Sequence, residues 1–234
     1  MYDILILDFI KKRGISMLNK LLDKLDRKFG RFAISNLMLY IIIGMGVFFV
    51  VDMVLMSNPD NNIFLIDMIR FDREKIFSGQ IWRVISFILE PPDYTLVFVI
   101  FSLYFFWLMG AGLEQQWGSF KFNVFYFTGI IGCIIAGFIT GFATNYYLNL
   151  SLFLAFAVLF PNKEIYLFFV LPIKVKWLSL LDGLLLIVSF VRSGFYIRVF
   201  LLLSVANFLL FFGKDLFDML YFSGRQLYRK YLKK

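Results

Sequence analysis

The sequence contains no histidine. Histidine is the usual base that takes the proton of a serine nucleophile, so its absence excludes the common Ser-His dyad and triad. Cysteine is almost absent: Cys133 stands alone in an apolar stretch, which excludes a disulfide framework. With no imidazole and one thiol there is no transition-metal ligand set, and no glycine-rich phosphate loop appears. No cofactor is expected. Charge is scarce as well. Acidic and basic residues make up 17% of the 234 positions, against 61% hydrophobic and 21% aromatic, and the mean hydropathy is +0.80. A soluble domain runs near about 45–50% apolar. Too little polar surface remains here to cover a water-soluble globule.

In place of polar surface there are long apolar runs, separated by short charged or proline-containing turns. A helix needs about 20 apolar residues to cross roughly 30 Å of hydrocarbon. The composition therefore predicts an all-α integral membrane protein, one helical bundle whose main partner is the lipid bilayer. The first apolar run, residues 4–10, is short and carries Asp8, and does not read as a cleavable signal.

The net charge of +8 sits mainly at the two ends. Residues 1–32 carry Lys11, Lys12, Arg13, Lys20, Lys24, Arg27, Lys28 and Arg31; residues 214–234 carry Lys214, Arg225, Arg229, Lys230, Lys233 and Lys234. Basic residues flanking apolar spans mark the cytoplasmic side, so both tails are expected there, in a multi-pass protein of the cell membrane. That topology accounts for the basic tails, and no nucleic-acid partner is inferred from them. Within residues 17–31, Leu18, Leu21, Leu22, Leu25 and Phe29 share one helical face and charges fill the other. A basic amphipathic helix of this kind suits an anionic membrane surface; a solvated helix leading into the first span is the alternative reading.

Three regions follow: the basic segment 1–32, a transmembrane domain over 33–213 and a basic tail over 214–234. Six spans are expected, over about 33–56, 94–112, 122–142, 149–161, 177–191 and 196–212. An even number puts both tails on one side. The connection 57–93 lacks a positive excess and is expected outside; its stretch 80–89 is apolar enough to lie in the interface, as is the run 165–171. The third span places Gly129, Cys133, Gly137 and Gly141 four residues apart, a smooth stripe that lets a neighbouring helix approach closely. The fourth is short, about 18 Å at 1.5 Å per residue. Its preceding residues, 145–147, are therefore expected to dip inward under the cover of protein. Asp52 lies near the outer end of the first span, where it is expected at the interface. Asp182 lies inside the fifth and is a functional candidate because intramembrane carboxylates are costly, or a structural partner at the helix end, five residues past Trp177.

Three local patterns give this order of parts its resemblance to the rhomboid superfamily. Trp82-Arg83 sits in the long first connection, as the Trp-Arg pair of rhomboids and derlins does. The second span ends Leu108-Met109-Gly110-Ala111-Gly112-Leu113-Glu114 with Gly118 following, similar to the family's Leu-Gly-x-x-Leu-Glu-x-x-x-Gly. A short fourth span and a small-residue sixth span complete the likeness, which covers roughly 33–213. The resemblance implies a six-helix rhomboid-like bundle. It places the family's catalytic serine on Ser151, without the flanking glycines, and the catalytic histidine on Asn207. The oxyanion donors would fall on Phe98 and Ser102, so that machinery is depleted too. No lysine lies within the spans to replace the base. The expectation is a derlin-like pseudoprotease that binds transmembrane client proteins or perturbs the bilayer, with Ser151 and Asn207 available as a structural pair. A small-molecule or ion transporter or channel is the alternative, and an atypical rhomboid serine protease the weaker one.

Overall fold

The computed structural model describes residues 17–57, 64–93, 95–167 and 170–231, the side chains at 17–19, 167, 214–215 and 218–231 excepted. The run 4–10, the bases Lys11, Lys12 and Arg13, and all the basic side chains of the tail from Lys214 on lie outside the described residues.

The chain begins with α1 (Met17–Phe29) and a 3-10 turn (Gly30–Phe32), then enters α2 (Leu37–Met56). The connection expected as a loop is three short helices, α3 (Leu65–Ile69), α4 (Arg73–Phe77) and α5 (Arg83–Ser86), with a 3-10 turn at Phe87–Leu89. After these come α6 (Leu96–Trp117), α7 (Ser119–Thr140) and α8 (Tyr146–Leu159). A hairpin of β1 (Glu164–Leu167) and β2 (Leu171–Lys174) leads to α9 (Val175–Arg192) and α10 (Phe195–Tyr231).

The fold is mostly helical. Among the described residues, α2, α6, α7 and the stretch Phe195–Gly213 of α10 are long and apolar enough to cross a membrane. Apolar α8 has 14 residues, about 21 Å of rise. It starts at Tyr146, three residues before the expected start, so Tyr146 and Tyr147 form its first turn instead of a dipping loop. Helix α9 has 18 residues and carries Lys176, Asp182 and Arg192. The boundary expected at 213 is a change of composition only, because α10 runs on unbroken to Tyr231.

Contacts fix the direction of each helix. Met38 of α2 meets Gly110 of α6 while Leu103 approaches Gly46, so the two are antiparallel. Phe105 packs on Phe153, and Gly112 faces Phe156, so α6 and α8 run the same way. Ser204 bonds to Tyr147 and Asn207 to Ser151, so α8 and α10 are parallel as well. Parallel neighbours need a return path between them, and α9 supplies it. Arg198 holds its end by donating to the carbonyls of Phe190 (2.9 Å) and Val191 (3.0 Å). At one end of the bundle Trp117 stacks on Phe212 at 4.2 Å, with Phe125 edge-on to Phe211 and Phe212. Helix α1 joins that same end through Lys121 Nζ and Asp23 Oδ1, 2.5 Å apart. Both basic segments therefore leave the bundle at the same end.

The apolar run 165–171, expected along the interface in an all-α fold, is part of the antiparallel hairpin, with Ile165 opposite Ile173 and Tyr166 opposite Pro172. A lone two-stranded hairpin is marginal in water. This one is pinned by buried Ile165 and closed at its base where the amides of Val175 and Lys176 donate to the carbonyls of Lys163 and Pro161.

Candidate functional site

Where α8 and α10 pack, Asn207 Nδ2 donates to Ser151 Oγ at 3.0 Å. Both residues are buried, Ser151 to 1% exposure. One turn away Ser204 Oγ donates to the Tyr147 carbonyl at 2.7 Å. Gly129 of α7 leaves the room for this arrangement: a side-chain carbon there would meet Leu148 and lie 3.1 Å from Asn207 Nδ2. The chemistry is that of a helix–helix tie. An amide that donates to the serine oxygen occupies a lone pair of the would-be nucleophile. Turned over, its oxygen would accept from the hydroxyl but could not take the proton.

The positions that the resemblance assigns to oxyanion donors do not complete such a site. Phe98 points away from the bundle, 45% exposed, and Ser102 is half-buried one turn on. No hydrogen bond joins either residue to Ser151 among the described residues.

Trp82 and Arg83 do structural work that the sequence pattern alone does not reveal. Helix α3 ends in four consecutive carbonyls, and α5 caps each with a side chain. Arg83 Nη1 donates to Asp67 and Arg70, both at 2.8 Å; Trp82 Nε1 donates to Met68 at 3.0 Å; Ser86 Oγ donates to Ile69 at 2.8 Å. Asp52 holds the other end of α3, accepting from the amides of Leu65 (2.6 Å) and Ile66 (2.9 Å). It is buried. Asn145 then ties this connection to the start of α8 by donating to the carbonyls of Ile88 and Glu90.

At the opposite end Glu114 Oε1 accepts from the Asn36 amide at 2.8 Å and from Ser119 Oγ at 2.5 Å. One carboxylate thus joins the start of α2, the end of α6 and the start of α7. Asn36 takes the left-handed conformation that asparagine tolerates. Gly118 has φ +84° and ψ 156°, a region open essentially to glycine alone, and lets α7 start directly after α6. Lys121, Gln115 and loop amides are the partners that the sequence suggests for Glu114; a loop amide, that of Asn36, takes it, and Lys121 pairs with Asp23. Replacing Glu114 by alanine removes two hydrogen bonds to a carboxylate, from the Asn36 amide and from Ser119 Oγ, and is expected to cost about 1–3 kcal/mol. A lowered melting temperature in detergent, partly restored by Glu114→Gln, is the expected result; an unchanged value would mean that the carboxylate joins nothing.

The small-residue stripe serves several partners rather than one helix. Gly110 and Gly112 of α6 meet Met38 and Phe156. Gly129 faces α8 and α10, and Cys133 is buried in the core. Gly137 faces the Phe71 ring and Ala143 from the connections, and Gly141 has left the helix as its left-handed cap, with φ +98°. Its carbonyl accepts from the Arg73 amide at 3.1 Å. Sequence reasoning passed over Asn123, Tyr126 and Asn149. Each is buried with a polar side-chain atom that has no hydrogen-bond partner among the described residues, as has Asp182 Oδ2. A lone amide in an apolar helix was the available signal. No group of three or more His, Cys, Asp or Glu side chains suited to a metal occurs among the described residues. No family model matches this chain, and no curated protein or solved structure matches it.

Proposed function

We propose that this chain is a non-proteolytic, rhomboid-like membrane protein that binds transmembrane client segments or locally perturbs the bilayer. In this reading all six long helices cross, α8 incompletely, and both tails face the cytoplasm. The observation that carries it is the Asn207–Ser151 hydrogen bond, at the positions where the resemblance puts a catalytic dyad, in a chain without histidine. The pair connects two helices, and the amide offers no base. Further support comes from the alternating helix directions, from the exit of both basic segments at one end, and from the short rise of α8. The Trp82-Arg83 brace and the Glu114-Gly118 corner are parts of the same resemblance.

Helix α9 supports the client-binding half of the proposal. It buries only Val175 fully and turns Leu180, Leu184, Ile187 and Val191 outward. Gly183 meets nothing within 4 Å, so another backbone can approach there. Helices associate in lipid through close packing and polar contacts, not through the hydrophobic effect, so an open glycine beside Asp182 is a suitable place. A photo-reactive residue at Leu184 should cross-link single-span transmembrane proteins reconstituted with the full chain. One at Ile131, equally exposed on α7, should not. Equal capture at both positions, or none at either, would remove the client-binding reading.

A further inference from the structure

We propose that α1 and the turn after it form a binding surface for the headgroups of anionic phospholipids. This inference does not depend on the rhomboid-like reading. The sequence of α1 mixes bases with Asp23 and Asp26, and folding separates them. At 100° per residue both aspartates fall on one side, and Lys20, Lys24, Arg27 and Lys28 fall on another. Asp23 is turned toward α7, where Lys121 takes its carboxylate. Lys20, Lys24, Arg27, Lys28 and Arg31 are all exposed and have no acidic side-chain partner among the described residues.

The apolar side of α1 is divided in the same way. Leu22 is buried and anchors the helix, while Leu21 (53%), Phe29 (41%) and Phe32 (67%) stay exposed beside the bases. Lys28 Nζ lies 5.2 Å from the Phe29 ring and Arg31 lies 4.7 Å from the Phe32 ring. A helix solvated by the cytoplasm would gain nothing from exposed phenylalanines, and a soluble anion or a nucleic acid has no use for them. Exposed apolar side chains flanked by flexible bases suit the boundary between headgroups and acyl chains. The location agrees. Phe32 is five residues before α2, and α1 touches the first turn of α7, so the surface lies where two apolar spans begin. Of the anionic ligands a basic surface could take, a phospholipid is the one that also covers the apolar edge.

The test uses the full chain in nanodiscs of phosphatidylcholine, alone or mixed with phosphatidylglycerol in both leaflets, so that orientation is immaterial. Spin-labelled phosphatidylglycerol should associate with the wild type about twofold or more better than spin-labelled phosphatidylcholine, each lysine near the surface adding to the attraction. Lys20→Gln, Lys24→Gln and Lys28→Gln together should bring the ratio close to one, and high salt should do the same to the wild type. Glutamine keeps helix propensity and these lysines hold no other element, so the variant should fold. Soluble glycerol phosphate should not displace the lipid. Absence of any preference in the wild type would overturn the proposal. So would a preference unchanged in the triple variant, which would assign lipid binding to other bases, and so would displacement by glycerol phosphate, which would mark a soluble-anion site.

Discussion

Arg83→Met is expected to cost about 3 kcal/mol or more, because it removes a buried charge that closes three hydrogen bonds at once. Arg83 is 4% exposed. Its guanidinium reaches the carbonyls of Asp67 and Arg70 and, through Nε, Gln80 Oε1 at 2.6 Å. A helix leaves its last carbonyls without intrahelical partners, and in the five residues of α3 these make up most of the helix. Methionine fills the volume of the aliphatic stem but leaves those acceptors unsatisfied. The segment 65–90 should then loosen as a unit: Asp52 holds its start and Asn145 its end, so both ties lose their fixed target. Arg83→Lys should restore little, since an ammonium cannot fork between acceptors as a guanidinium does. The readout is the melting temperature in detergent together with tryptic cleavage at Arg70, Arg73 and Lys75. Unchanged stability with unchanged cleavage would mean that Arg83 caps nothing.

Gly137→Leu is the second large effect, and it has an internal control one turn and a residue away. A side-chain carbon at Gly137 would lie 2.7 Å from the Phe71 ring and 3.0 Å from Ala143. Phe71 cannot step aside, because it is buried edge-on against Phe87 and Phe138. Overpacking of this kind costs about 1–3 kcal/mol, and the whole of leucine adds more than one carbon. Gly132 lies on the same helix with nothing within 4 Å of the equivalent position. Gly132→Leu should therefore be neutral, or slightly stabilising through helix propensity. Equal melting temperatures for the two variants would mean that Phe71 does not pack on α7.

The spans were legible because apolar length is a direct physical requirement of the bilayer, and α2, α6 and α7 fall where the runs predict. What joins them was not legible. Glu114 finds Asn36 at a separation of 78 residues, and no local pattern announces such a partner. Loop amides were expected as its partners beside Lys121 and Gln115, but not which one, and Lys121 is turned toward α1. Asp52 looked like an interfacial carboxylate and is the cap of a helix that begins 13 residues later. The hairpin escaped because its apolar run has neither a clear period of two nor the length of a helix. Phe98 shows the limit of carrying a motif by order alone: spacing puts it one turn from Ser102 but does not say which way that turn faces. The Ser151–Asn207 contact was expected from the resemblance, which sets the two positions opposite each other, and two polar side chains between apolar helices are better satisfied by each other than by lipid.

The most direct test of the central claim is a fluorophosphonate probe on the reconstituted protein, read by mass spectrometry at Ser151 alongside a panel of transmembrane substrates. Hydrolysis needs an activated nucleophile, a base within hydrogen-bond reach and donors for the oxyanion. Ser151 is held as an acceptor by Asn207, and neither Phe98 nor Ser102 bonds to it. No adduct on Ser151 is expected, the substrates should stay intact, and Asn207→His alone should bring no cleavage, because the oxyanion donors would still be missing. An adduct on Ser151 that disappears in Ser151→Ala, accompanied by a cleaved substrate, would contradict that claim.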